Sequence, residues 1–304
     1  MTTLTPIERR VARTITTAPP EPGFGGPGHE AVFVIRPDDF ADHDPFILLA
    51  DDRLDMPAGA TVGGEHPHAG FEIATFVVRG EINEGEEGVL HEGDVLWTTA
   101  GRGLIHGEHA EPQGPTRILQ LWFMLPEEDR WIAPHFEVIR RAEAAVRREP
   151  GVLARVYSGS SGEARVHRRE HVPITMVDLT FDAGATFAQG LPAAHNGFLY
   201  VLEGSLRAGG DGELHEGQVG WLDRSEAEGA SMLRLTAGTT GARVILYAGA
   251  PQHHPIVSQG PFVGGSRADL IRMSREYLDG RYTRMSELAH AANAGARRSR
   301  SRRP

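Results

Sequence analysis

The stretches 80-GEINEGEEGVLHEGDVLW-97 and 204-GSLRAGGDGELHEGQVGW-221 are two versions of one pattern, 124 residues apart. Gly80, Gly88, Leu90, His91, Glu92, Gly93, Val95 and Trp97 recur as Gly204, Gly212, Leu214, His215, Glu216, Gly217, Val219 and Trp221. Ungapped matching of that many positions points to duplication of one unit. Each copy reads as a strand, a tight glycine turn and a second strand. His91 and His215 fall in the turn and are expected to be exposed.

Outward from the repeat, the chain is punctuated by 37 glycines and 20 prolines. Between them lie short apolar stretches: 72-EIATFVV-78, 117-RILQLWFML-125, 198-FLYVL-202 and 243-RVILYAG-249. Short β-rich runs with glycine spacers predict an all-β fold of sandwich or barrel type. Helical patterns are few. Residues 136-FEVIRRAEAAVRREP-150 read as one helix ended by Pro150. A second runs through 266-SRADLIRMSREYLDGRY-282, with Ser266 and Asp269 as a capping box and Gly280 as its stop.

The 304 residues suffice for two ordinary domains. No apolar run is long enough to span a bilayer, and 1-MTTLTPIERRVARTITTAPPEP-22 has no secretory apolar core. The expected location is cytoplasmic. With no cysteine there is no disulfide, thiolate metal site or cysteine nucleophile. A net charge of −10 argues against a dedicated nucleic-acid binder, which needs a basic face. The exception is the arginine-rich end 297-RRSRSRRP-304, expected to be a flexible solubilising tail.

The chemistry concentrates in two segments of the first unit. In 66-HPHAGFE-72, His66 and His68 stand two apart; in 101-GRGLIHGEH-109, so do His106 and Glu108. Residues i and i+2 of a strand share a face, so two such pairs on neighbouring strands can converge. Three imidazoles and a carboxylate suit a divalent transition metal and leave positions open for substrate or O₂. The second unit is an internal control: Gly190, Pro192, Ala230 and Met232 occupy the equivalent positions. A small gap would instead set His195 against His68, with Ala193 opposite His66. The turn framework was kept in both copies and the ligand set in one, so one metal site is expected, in the N-terminal unit.

These segments resemble the pirin family of the cupin superfamily. The match runs through 45-PFILLADD-52, 66-HPHAGFEIATFVVRGE-81, 93-GDVLWTTAGRGLIHGE-108, 120-QLWFMLP-126 and 260-GPFV-263. The resemblance implies two tandem cupin barrels, with the C-terminal helix region folding back on the first. The expected layout is a flexible segment at 1–20, a metal-binding cupin domain at 21–135 and a linker helix at 136–155. A degenerate cupin domain with its closing helix follows at 156–285, then the arginine-rich tail at 286–304. The resemblance also implies that His66, His68, His106 and Glu108 hold one metal, with Fe(II) expected first and Mn, Ni, Cu or Zn as alternatives. Glu72 would orient a histidine N–H, and His109 would point away from the ligands. Several positions depart from the family: Ala69 replaces the usual arginine, 81-EINEGEEG-88 replaces a His-x-Asp-Ser hairpin, and 96-LWTTAG-101 and 260-GPFVGG-265 vary the usual wording. They alter the rim of the pocket and spare the ligands.

The activity the resemblance implies is a quercetin 2,3-dioxygenase: O₂-dependent opening of a flavonol, with Glu108 taking the hydroxyl proton. Phe71, Phe76, Trp97 and Trp122 are expected either to flank the aromatic substrate or to be barrel core. The alternative is a non-catalytic redox-sensing regulator that binds a transcription factor or metabolic enzyme.

Overall fold

The computed structural model describes residues 6–38, 40–107, 110–166, 171–210, 212–225 and 229–290. It is mostly β and divides into two compact units. One comprises Met1–Ala18, His43–Pro45 and Ala142–Gln252; the other comprises Pro19–Asp42, Phe46–Arg141 and His253–Pro304. They are called here the C-terminal and N-terminal units. No helix among the described residues is long and apolar enough to cross a membrane.

The C-terminal unit is built on a large sheet whose longest strand, Ala230–Gly249, pairs with Ile174–Phe181, Thr186–Pro192 and Asn196–Ala208. Alternate residues point to one side and form its core, including Val177, Leu179, Leu199, Val201, Val244 and Leu246. Each buried side chain of this kind contributes about 1.5–3 kcal/mol relative to exposure. The Thr186–Pro192 strand pairs Gly190 with Met232 and Pro192 with Ala230. The four positions that match the ligand set therefore do face one another across two strands, without a ligating side chain.

The N-terminal unit carries a sheet in which Phe71–Arg79 lies between Val95–Thr99 and Thr116–Met124. Phe46–Leu54 and His29–Ile35 continue it. Leu54, Val77, Ile82, Leu90, Leu96 and Ile118 form the core beneath.

Two hydrogen bonds of the turn recur in both copies. The Gly93 N–H donates to the Val77 carbonyl at 2.8 Å, and the Gly217 N–H to the Val201 carbonyl at 3.0 Å. The His91 N–H donates to Asp94 Oδ2 at 3.1 Å, and the His215 N–H to Gln218 Oε1 at 2.9 Å. A side-chain oxygen three residues on closes each turn, which explains why Asp and Gln are interchangeable there. Both turn histidines are exposed, as the pattern implied.

The expected helix at 136–150 does not form. His135–Ile139 is a strand paired with Val95–Thr99, and Ala145–Glu149 is a strand paired with Val152–Ser158. Phe136 and Val138 turn inward against the core while Glu137 is exposed, a period of two. Pro150 does not end a helix; with Gly151 it forms the two-residue loop between paired Glu149 and Val152. The expected flexible start is likewise corrected. Ile7–Arg9 runs parallel to Ser231–Leu233, and Val11–Thr16 pairs with Gln218–Leu222. Arg9 is buried, its guanidinium donating to the Ala193 and His195 carbonyls. The closing helix does form, over Arg267–Leu278, with the reciprocal Ser266–Asp269 capping box. Residues 285–290 are helical, with Met285 and Ala289 buried; the rest of the expected tail, 291–304, lies outside the described residues.

Candidate metal centre

His66–His68 is a three-residue edge strand, antiparallel to Leu104–His106. Pro67 has no N–H to offer a ladder, and an edge strand tolerates that. His106 lies directly opposite His66, and Leu104 opposite His68. Opposed residues share a face, so the two-residue spacing on one strand and the register with the other bring three imidazoles together.

Their ring centroids form a near-equilateral triangle: 4.7 Å from His66 to His68, 4.7 Å from His66 to His106 and 4.8 Å from His68 to His106. One nitrogen from each lies within 4.8 Å of the others. Nitrogens that share a metal at about 2.1 Å stand about 3.0–3.4 Å apart, so side-chain rotations that draw the three rings inward would complete the shell. The His66 Nδ1–H donates to the Gly64 carbonyl at 2.7 Å, which leaves the Nε2 lone pair available. Both ring nitrogens of His106 and Nδ1 of His68 are buried without a hydrogen-bond partner among the described residues. Unpartnered imidazole nitrogens gathered in one cluster fit a divalent cation.

Burial lowers all three pKa values. His106 falls to about 4 through desolvation, His68 lies well below 6.5 through desolvation and its two histidine neighbours, and His66 is lowered by desolvation and His106. The three are therefore neutral at pH 7, the form that ligates. Glu87 brings a buried carboxylate oxygen to 3.7 Å from His106 Nδ1. Burial, then Glu87, pushes the nearby Glu84 up to about 8.

Two glycines make the arrangement possible. Gly107 has φ +90°, and a Cβ there would lie 2.9 Å from His66 Cε1. Gly70 has φ +93°, and a Cβ there would lie 1.8 Å from the Val263 carbonyl oxygen. The segment 261–263 runs directly along Ala69, with Ala69 N–H donating to Pro261 O at 3.4 Å and Val263 N–H to Ala69 O at 3.1 Å. The HPHAG and GPFV segments, distant in sequence, are thus one local structure.

Glu108, the expected fourth ligand and base, lies outside the described residues, as does His109. Glu72 does not face the site as expected. Phe71 touches His68, with ring centroids 5.3 Å apart, so its chain neighbour Glu72 projects to the opposite face. There buried Glu72 accepts the Thr99 hydroxyl, which also contacts His135 Nε2 at 3.3 Å. Phe76 and Trp97 also lie on that opposite face, Trp97 packing on Phe123. Of the four aromatics expected around the substrate, Phe71 and Trp122 lie beside His68, stacked on each other at 4.5 Å.

A cavity of about 840 Å³ opens over His66 and His68. Phe24, Phe33, Leu48, Trp122 and Pro261 supply apolar walls; Glu21, Asp52 and Gln120 supply polar ones. Phe24, Phe33 and Leu48 had no signal in the motif. Phe33 and Leu48 reach the mouth by sheet pairing, on strands His29–Ile35 and Phe46–Leu54, and Phe24 by the hairpin loop that precedes the first of them.

The chain matches two family models, Pirin over residues 35–123 and the Pirin C-terminal cupin domain over 176–283. It is 35% identical over 249 residues to a Pseudomonas aeruginosa protein named "Putative quercetin 2,3-dioxygenase PA3240", covering 78% of this chain and 86% of that one. The crystal structure of GK1651 from Geobacillus kaustophilus is similar at 34% identity and TM-score 0.75, covering 83% of this chain and 100% of that one. The bacterial pirin YhhW from Escherichia coli, solved in complex with nickel(II), shares the fold at TM-score 0.57 and 19% identity, over 80% of this chain and 98% of that one.

Proposed function

This chain belongs to the pirin family, and on that premise we propose that it is a metal-dependent dioxygenase that opens flavonols at a single site held by His66, His68, His106 and Glu108. The observation that carries the reading is the apolar cavity of about 840 Å³ that ends on His66 and His68. It has the size and lining of a small-molecule site. The Pseudomonas relative supplies the substrate class by its name.

Fe(II) is the first choice of metal. Nickel, present in the Escherichia coli relative, and Mn, Cu and Zn also accept imidazole and carboxylate. Such a metal supplies Lewis acidity that lowers the pKa of a bound hydroxyl. The chain's own residues do the rest. The three neutral histidines need shed no proton to ligate at pH 7. Trp122, fixed by its Nε1–H to Gln120 Oε1 at 3.1 Å, offers a wall to a flat ring. Leu48, Phe33 and Pro261 add apolar surface beside that wall. Glu108 takes the proton of the flavonol hydroxyl. The reaction balances without an external reductant: both atoms of O₂ enter the ester product, and the excised carbon leaves as carbon monoxide with its own oxygen.

O₂ uptake, carbon monoxide release and loss of flavonol absorbance with quercetin test this reading. Turnover that vanishes in Glu108→Gln while the metal is retained supports it. A fully metallated protein that consumes no O₂ with any flavonol contradicts it and favours the regulator. In that case removing residues 295–304 tests whether the arginine-rich end carries a partner contact.

A further inference from the structure

The hairpin that joins Glu21–Pro22 to His29–Ile35 has the loop 23-GFGGPG-28. It is wound around one buried side chain. The Gly23 N–H donates to the His29 carbonyl at 2.8 Å, and the His29 N–H to the Gly26 carbonyl at 3.1 Å. The Gly25 N–H donates to His29 Nδ1 at 3.0 Å, so Nε2 carries the proton and donates to Asp52 Oδ1 at 2.8 Å. Cβ atoms at Gly23 and Gly25 would lie 2.3 and 2.7 Å from the His29 ring, so the loop closes this tightly only with glycine there.

What this wiring presents is Phe24. Its side chain is 69% exposed, the fold's large apolar residues being otherwise mostly buried. The ring stands edge-on to His66 at 6.2 Å and to His29 at 5.3 Å, and it rests on Gly63, where a Cβ would meet Phe24 Cε2 at 2.5 Å. Phe24 and Trp122 line the same cavity. An exposed aromatic held by a buried His–Asp pair beside a metal-site histidine is preorganised for a ligand.

We propose that Phe24 is a specificity-determining wall of the site: with Trp122 it receives a flat, oxygen-bearing aromatic ligand, and the His29–Asp52 pair holds it in position. The inference rests on the substrate class proposed above. It asks for a ligand with a second ring extending from the metal toward the cavity mouth. A flavonol's second ring has more flat surface to lay against Phe24 than a one-ring catechol has, so the flavonol is the ligand that depends on it.

The test uses full-length, metal-loaded protein and the fluorescent probe 3-hydroxyflavone, with binding measured without O₂ and turnover with it. Phe24→Ala is expected to weaken flavonol binding and raise KM about five- to tenfold. Its kcat stays within about twofold and catechol binding is unchanged, while Phe24→Trp restores the wild-type KM. Metal content and urea midpoint are read on each variant, and both are expected to match wild type. Unchanged flavonol affinity in Phe24→Ala overturns the inference and leaves the dioxygenase reading standing. Weaker affinity in Phe24→Ala, restored by Trp, in a protein that never turns over flavonol upholds the inference and overturns the dioxygenase. Wild-type protein that does not bind the probe overturns both, and loss of metal from Phe24→Ala assigns the residue a structural role instead.

Discussion

Gly70→Ala is expected to destabilise the N-terminal unit by about 3–4 kcal/mol. The φ of +93° alone costs a side chain about 1–2 kcal/mol. The new Cβ would also sit 1.8 Å from a backbone oxygen, at Val263, which no rotamer change can relieve. Segment 261–263 must therefore move by more than an ångström. That breaks the two backbone hydrogen bonds it makes with Ala69, each worth about 1 kcal/mol net. Gly59→Ala is the matched control, since φ there is +78° with nothing within 4 Å of the new Cβ. It keeps the dihedral cost and loses the collision, so about 1–2 kcal/mol is expected. Urea unfolding followed by tryptophan fluorescence reads this unit preferentially, because Trp97, Trp122 and Trp131 belong to it and Trp221 to the other. Equal losses at the two glycines would refute the claim that HPHAG and GPFV form one packed structure.

Three further outcomes follow from the same geometry. Thr99→Val removes the hydroxyl that donates to buried Glu72 and should cost about 1–3 kcal/mol in urea unfolding. Metal stoichiometry should be unchanged, because Glu72 faces away from the histidines. In metal-free protein, His106 stays neutral to about pH 4 while its unfolded form protonates near 6.5. Its contribution to stability is therefore complete above pH 6.5 and is lost as pH falls toward 4, by up to about 3 kcal/mol. Urea midpoints across that range, compared with those of His106→Leu, measure the loss, and parallel pH profiles would contradict it. Asp94→Ala should destabilise the first repeat turn by about 1–3 kcal/mol, since Asp94 accepts from the His91 N–H, the Arg141 N–H and the Arg140 guanidinium. Gln218→Ala in the second copy should cost less, since Gln218 accepts from the His215 N–H and donates to the Thr16 hydroxyl on an exposed surface.

Much of this was legible from residues alone, because the relevant rules are local. The repeat marked a strand, turn and strand in each copy, and two-residue spacing placed His66 beside His68. Strand parity is legible too. Phe71 and Phe76 are five apart in one strand, so they cannot both face the substrate, and Glu72 cannot face the side that Phe71 faces. The 136–150 segment reads as a helix because its scattered apolar residues fit a helical period as well as two short strands. The Pro150–Gly151 pair was the turn signal that distinguishes them. The N-terminal strands had no local mark, since residues 7–16 become strands by pairing with residues more than 200 positions away. Phe24 was invisible for a related reason: its position follows from a loop wrapped around His29, and His29 is fixed by Asp52 on another strand.

The most direct test of the central claim is metal content after anaerobic purification, wild type against the doubly substituted His66→Ala, His68→Ala protein, with folding checked by the urea midpoint. The account predicts one divalent metal per wild-type chain and none in the folded variant. A folded wild-type protein that takes up no transition metal, or a variant that holds it equally well, would contradict the assignment of these histidines as the metal centre.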